Sequence, residues 1–397
     1  MTITNRVSLK SVMAGNTPID DVPDAPTIGT ATAGTASATV TYTAAATGGA
    51  VTTFTATSTP GSVTGTGASP ITVSGLTNGT AYTFTVSGAN TTGTSPASAA
   101  SNSVTPTPTP RGLFAGGYNG SRVNNIEYIS ITSTGTALDF GDLTARRDSL
   151  GALSSFTRAV FAGGDSRNDG YNEYANVMDY VTVASTGNAT DFGDLTVGRR
   201  YCGGGVNNTT RGVFGSGDSG GGDTNVIDYI TIASTGNATN FGDLTVARNG
   251  AYGSSSPTRG VYAGGQDNVN VIDYITIAST GNATDFGDLS QAQPMLGTVS
   301  SGTRGVFAGF GDNRMEYLTF ATTGNTTDFG DLGNNRDSCG GACTSIRGVF
   351  ADGYVGGFNS TSEYITIATT GNATNYGDLS YSRYATVGTS NSNGGLQ

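Results

Sequence analysis

The chain is 397 residues long, with 62 glycines, no His, no Trp and a formal charge of −11. That length suits two domains rather than one. The missing His removes Ser-His-Asp and Cys-His nucleophiles and imidazole metal ligands, and the net negative charge argues against a phosphate-backbone partner, so no nucleic acid is expected. Only 12% of residues are charged and Lys10 is the single lysine. Gly, Thr, Ser and Asn interspersed with Tyr and Phe predict short strands and tight turns, an all-β chain. Residues 1–21 form a polar tail. Its start, MTITNRVSLKSVMAGNTPIDD, lacks the apolar core of a secretory signal. No run of about 18 apolar residues follows, so membrane insertion is not expected.

Residues 22–104 carry no Arg or Lys and alternate Thr, Val, Ala and Ser, as in VTTFTATS and AYTFTVSG. This segment resembles a fibronectin type III domain. The residues that carry the likeness are Pro23-Asp24-Ala25-Pro26 and Gly75-Leu76-Thr77-Asn78-Gly79-Thr80-Ala81-Tyr82, then Thr83-Phe84-Thr85-Val86. The Leu-x5-Tyr spacing is similar to the tyrosine corner of such sandwiches, where the hydroxyl bonds back to the chain. VTYTA at residues 40–44 stands where the family has its early-strand Trp. The run TPTPTP, residues 105–110, reads as a stiff extended linker, because each Pro fixes its own φ and restricts the residue before it.

From residue 111 the chain repeats. RG(V/L)(F/Y) or a near form starts at Arg111, Arg158, Arg211, Arg259, Arg304 and Arg347, at spacings of 47, 53, 48, 45 and 43. An acid–Tyr pair follows in each unit, from Glu127-Tyr128 to Glu363-Tyr364, then a hairpin turn with a Gly suited to positive φ. (F/Y)GDL closes the unit and contributes Asp142, Asp194, Asp243, Asp288, Asp331 and Asp378. An Arg usually comes next, at Arg147, Arg200, Arg248, Arg336 and Arg383. Six units of four strands predict a six-bladed β-propeller over residues 111–397. The first unit lacks its leading strand and the last leaves one over, Tyr384–Ser390, which is expected to pair with the first unit and close the ring. The unit resembles a kelch repeat, with Phe or Tyr of (F/Y)GDL at the kelch Trp position and a Gly doublet at Gly116-Gly117, Gly163-Gly164 and Gly264-Gly265.

Identical residues at six equivalent places are best explained by identical structural work. The six Arg of RG(V/L) and the six Asp of (F/Y)GDL are therefore read as structural, the Asp accepting hydrogen bonds from Arg or backbone N–H groups. No carboxylate pair stands apart as a glycosidase pair, and without Trp the Asp-box sialidase pattern is absent. DSRNDGYNE and DSGGGDTN have the oxygen density of calcium loops without their spacing. Three cysteines cannot all pair with one another. Cys339 and Cys343, four apart in a predicted strand about 13 Å long, are too distant for a bridge, and all three are read as buried and reduced. No catalytic residue, metal or cofactor is expected.

Recognition is expected in the variable loops between the first two recurring strands of each unit, which all emerge on one face. They hold Tyr118, Arg122, Arg167, Tyr171, Tyr174, Phe310, Arg314, Tyr354 and Phe358 on an Asn/Asp/Gly background. Rigid aromatics and Arg give contact area at low entropic cost. Module order and STGNATDFGDL-type repeats resemble tail-fibre and appendage proteins of tailed bacteriophages, including those that infect cyanobacteria. The resemblance implies a non-enzymatic virion protein within a symmetric assembly. Residues 1–21 would dock on other virion proteins, and the propeller loops would meet a host-surface glycan or protein. A head or neck decoration protein without receptor role and a bacterial extracellular adhesin or carbohydrate-binding module are the alternatives.

Overall fold

The computed structural model describes residues 21–167, 173–267, 269–294, 296–354 and 356–392, and these form strands, turns and extended segments without a helix. The chain is all-β and divides into two compact units, with the break between Thr107 and Pro108 inside the Thr/Pro run. The expected docking tail, save Asp21, lies outside the described residues.

Among its described residues the first unit holds two three-stranded antiparallel sheets. One pairs Thr27–Gly34, Ser37–Thr43 and Ile71–Ser74; the other pairs Thr64–Thr66, Thr53–Thr59 and Thr83–Ala89. Alternation puts Val40, Ile71, Val73, Phe84 and Val86 into one core shared by both sheets. The Tyr82 hydroxyl accepts the Thr77 amide at 3.0 Å, five residues back along the chain.

Among its described residues the second unit holds six four-stranded antiparallel sheets. The first combines the last described strand with the earliest: Val387–Ser390, Arg111–Ala115, Asn125–Ser130 and Leu138–Asp142. The C-terminal strand therefore pairs with the repeat's opening strand, Val387 opposite Ala115 and Ser390 opposite Gly112. The second sheet runs Gly151–Ser154, Arg158–Ala162, Val177–Thr182, Thr190–Asp194; the third Val206–Asn207, Arg211–Gly215, Val226–Thr231, Thr239–Asp243. The fourth is Tyr252–Ser255, Arg259–Ala263, Val271–Thr276, Thr284–Asp288; the fifth Gly297–Ser300, Arg304–Ala308, Arg314–Thr319, Thr327–Asp331. The sixth is Gly340–Cys343, Arg347–Ala351, Asn359–Thr366 and Thr374–Arg383.

Both faces of each sheet are covered, which is why the second strands are apolar without alternation. Each apolar cluster joins one sheet to the next. Leu113, Phe140, Phe161 and Val181 fill the junction of the first and second sheets, and Phe114, Ile129, Val349 and Tyr376 fill that of the sixth and first. Glycine makes the close approach possible. Gly141 has φ of 144°, and a Cβ there would lie 2.4 Å from the Gly187 carbonyl oxygen of the next sheet's hairpin. Gly377 stands in the same relation to Gly135, so the sixth sheet meets the first as the first meets the second.

The leading strands are linked by hydrogen bonds. Asn207 Nδ2 donates to the Ser154 carbonyl at 2.8 Å, Ser300 Oγ to the Ser255 carbonyl at 2.9 Å, and Ser390 Oγ to the Cys343 carbonyl at 2.6 Å. The Asn207 amide reaches Ser255 Oγ and the Ser300 amide reaches Cys343 Sγ, at 3.4 and 3.3 Å. Ser154 Oγ donates to the Ser390 carbonyl, so the series returns to its start.

Candidate functional site

The six recurring Arg of RG(V/L) each do one job. Arg111, Arg158, Arg211, Arg259 and Arg304 donate to the carbonyls of Val183, Ile232, Ile277, Phe320 and Ile367 in the next sheet, at 2.5–3.0 Å. Arg347 reaches Ile131 of the first sheet at 3.3 Å. Each guanidinium also lies over the Tyr of its own acid–Tyr pair, as Arg158 does over Tyr180 at 4.2 Å.

At the six recurring Asp, it is the main chain that carries the links to the next sheet. The Asp142 amide donates to Asn188 Oδ1 at 3.1 Å and its carbonyl accepts from the Ala189 amide at 2.7 Å. Asp194, Asp243, Asp288 and Asp331 repeat both contacts, and Asp378 repeats the second with Ala137. The carboxylates that meet buried arginines belong instead to the acid–Tyr pairs. A bulge between the third and fourth strands at each acid, such as that between Met178 and Asp179, turns it toward the preceding sheet. Arg147–Asp179, Arg199–Asp228, Arg248–Asp273 and Arg383–Glu127 close at 2.5, 2.9, 2.7 and 2.8 Å. Arg336 pairs with Glu363. The sequence pattern points to Arg200 as the recurring arginine of its unit; the buried one is Arg199, and Arg200 is half-buried and pairs with Asp218.

Arg200 belongs to a different cluster, which surrounds a cavity of about 380 Å³. Tyr118, Arg122, Asp148, Ser149, Arg167, Tyr201, Gln266 and Tyr384 line it. These residues lie just after second strands or just before leading strands. In an antiparallel pair those two places share one end of the sheet, so residues far apart in sequence converge. The Tyr118 and Tyr384 amides and carbonyls exchange hydrogen bonds at 2.9 and 3.1 Å.

One side of the cavity is ionic. Asp165, only 2% exposed, receives Arg122 at 2.6 Å, Arg167 at 2.7 Å and Arg200 at 3.7 Å. Arg122 also meets Asp148 at 3.0 Å, Arg167 meets Glu173 at 3.1 Å, and Arg200 meets Glu173 and, at 3.0 Å, Asp218. Burial pushes the Asp148 carboxyl up, against the opposing pull of Arg122. The other side is aromatic. Around Tyr384 sit Tyr354 at 5.6 Å, Tyr118 at 5.7 Å and Phe358 at 6.0 Å between ring centres, Phe358 nearly parallel to it. Burial also raises the Tyr201 and Tyr384 phenols.

The structure thus brings Tyr118, Arg122 and Arg167 to one cavity and sets Tyr354 and Phe358 beside it, both more than 40% exposed. Tyr174 lies under Arg200 at 5.2 Å. Tyr171 lies outside the described residues. Phe310 is 3% exposed and packs in the core of the fourth and fifth sheets, so its ring is not offered to a ligand. Arg314 lies over it at 5.7 Å and pairs with Asp312 at 2.7 Å, away from the cavity. The described carboxylates of the two calcium-like loops are engaged by nitrogen donors: Asp165, Glu173 and Asp218 by arginines, Asp223 by Asn249 Nδ2 at 2.6 Å. Cys202, Cys339 and Cys343 are buried and not bridged by disulfides, and burial raises all three thiols, Cys339 to about 12 and Cys343 to about 11.

Sequence reasoning missed Asp148, Asp165, Tyr201, Gln266 and Tyr384. A usable signal was present: Asp148 and Tyr384 each follow a buried arginine, so one register count along the units marks them. No protein-family model matches the chain, and no curated protein matches it in sequence.

Proposed function

We propose that the chain is a non-enzymatic recognition protein of a bacteriophage virion, a tail-fibre or appendage component. In this reading residues 22–104 are a fibronectin type III-like spacer and residues 111–397 a six-bladed β-propeller closed by its C-terminal strand. Residues 1–21 dock on the particle, and the loop end of the propeller meets a host-surface glycan or protein. The two-sheet core and the Tyr82 hydroxyl bond support the spacer. The order of junctions, one through six and back to one, supports the closed ring.

The observation that carries the recognition role is the cavity at the loop end. It is built by residues of different loops, with three aromatic rings and a fixed ionic network around a concave space. Sites for specific ligands combine concavity, apolar surface and a few fixed polar groups in this way. The virion assignment rests on module order and repeat style. The experiment is competition: purified full-length chain is added to bacterial cells before phage carrying this protein. Dose-dependent loss of adsorption supports the reading. Unchanged adsorption, with the chain not retained on the cells, contradicts it and favours a decoration role.

A further inference from the structure

The charged groups at the cavity already hold one another. Arg122, Arg167 and Arg200 face Asp148, Asp165, Glu173 and Asp218, three cations against four carboxylates. An anionic ligand would have to displace Asp165, which is buried and shared by three guanidinium groups, and would meet an excess of negative charge. A cationic ligand would have to separate arginines from partners they hold at 2.6–3.1 Å. Breaking a buried pair leaves an uncompensated charge and is costly. The aromatic rings do not form an empty cage for an ammonium group either, since Tyr118, Tyr354 and Phe358 pack against Tyr384 itself.

A neutral polyhydroxylated ring has neither difficulty. Its C–H faces lie on aromatic rings, and its hydroxyls both donate and accept. Tyr118 and Tyr384 supply ring surface inside the cavity, stiffened from behind by their neighbours. The Gln266 amide, together with the Ser149 hydroxyl, the Asp148 carboxyl and the Arg122 guanidinium that hold one another, supplies donors and acceptors beside them. A volume of about 380 Å³ is near the lower end for small-ligand sites, about 300–1,000 Å³, and suits a single sugar residue. The exposed rings of Tyr354 and Phe358 continue the aromatic surface out of the cavity, where further units of an oligosaccharide would lie.

We infer that the loop-end cavity binds a neutral saccharide, seated on Tyr118 and Tyr384 and held through its hydroxyls by Gln266, Ser149, Asp148 and Arg122. This names the ligand class for the recognition site proposed above and rests on that site being the contact face.

The test uses full-length chain and titration calorimetry with methyl glycosides of neutral hexoses and N-acetylhexosamines, set against hexuronic acids of the same ring configuration. At least one neutral glycoside is expected to bind about tenfold more tightly than its uronate. Gln266→Ala and Tyr384→Ser are each expected to weaken it by about tenfold or more, with Tyr381→Ala, at an exposed ring that does not line the cavity, unchanged. A uronate that binds as well as its neutral counterpart, or neutral binding that survives both cavity variants, overturns the inference. Cell binding separates the two readings. A chain that attaches to host cells, with no neutral glycoside able to bind or compete, overturns the saccharide inference and leaves recognition standing. A chain that binds the glycoside but attaches to no host cell supports the site and overturns the host-recognition reading.

Discussion

The guanidinium of Arg383 meets the carboxylate of Glu127 at 2.8 Å across 256 residues of sequence, and both side chains are buried. Arg383 ends the sixth sheet and Glu127 sits in the first. The pair repeats at this junction the contact that Arg147 and Asp179 make between the first and second sheets.

Removing one partner of such a pair strands the other. Glu127→Ala leaves Arg383, where water does not reach it, with only the longer contact to Asp352 at 3.9 Å, and is expected to cost about 3–5 kcal/mol of unfolding free energy. Urea unfolding of the full-length chain, followed by near-ultraviolet dichroism, measures it. Asp179→Ala is expected to cost a similar amount, because its junction is built the same way. A Glu127 variant as stable as the parent contradicts the equivalence of the two junctions.

One junction lacks the arginine. Gln293 occupies the position four residues after Leu289 that Arg147 occupies after Leu143. Glu316, 2% exposed, is left with Ser290 and Thr326 and a longer contact to Arg314 at 3.6 Å. Gln293→Arg restores the sixth ion pair. The carboxylate is already buried, so the new charged hydrogen bond is expected to stabilise by about 1–3 kcal/mol. A lower midpoint in thermal unfolding contradicts this.

Asp352 stands at the first position of the Gly doublet, with φ of 54° and no exposed surface. Burial pushes its carboxyl from 3.8 to about 7, against the pull of Arg383 and Arg336. The folded form therefore holds a proton that the unfolded chain releases near pH 4. This contribution to stability is full below pH 4 and is lost as pH rises through 7, with a slope of roughly 1.4 kcal/mol for each pH step of one between those limits. Asp352→Asn keeps the shape and removes the titration. Its stability relative to the parent should rise between pH 4 and 7 and level off above. A pH-independent difference contradicts the assignment.

Much of this was legible because the fold repeats. β-branched and aromatic runs marked the strands, Gly at hairpins and close approaches marked the turns, and the surplus strand at Tyr384–Ser390 announced its pairing within the first unit, residues 111–143. What failed was resolution at single residues. Arg199 and Arg200 are adjacent, and only a count of four from Leu195 shows that Arg199 is the buried one. The Asp of (F/Y)GDL is read in sequence as accepting from Arg or backbone N–H groups, yet a bulge delivers the acid before Tyr to the buried arginine instead. Phe310 sits in a variable loop by sequence, but that loop is the shortest and its ring turns into the core. The cavity was the least legible feature. Tyr118, Asp148, Gln266 and Tyr384 come from four separate connections, and only the arrangement of sheets brings them together.

The proposed recognition role turns on whether the six sheets close on themselves and so gather their loops at one mouth. Spin labels at two pairs of exposed positions test it, since the native cysteines are buried. Labels replace Ile346 of the sixth sheet and Leu138 of the first in one variant, and the equivalent Thr157 of the second and Thr239 of the third in another. Double electron–electron resonance should return the same distance for both pairs, although the first is separated by about 200 residues and the second by about 80. A much longer or broad distance for positions 138 and 346 would mean an open array, and would contradict both the propeller and its shared binding mouth.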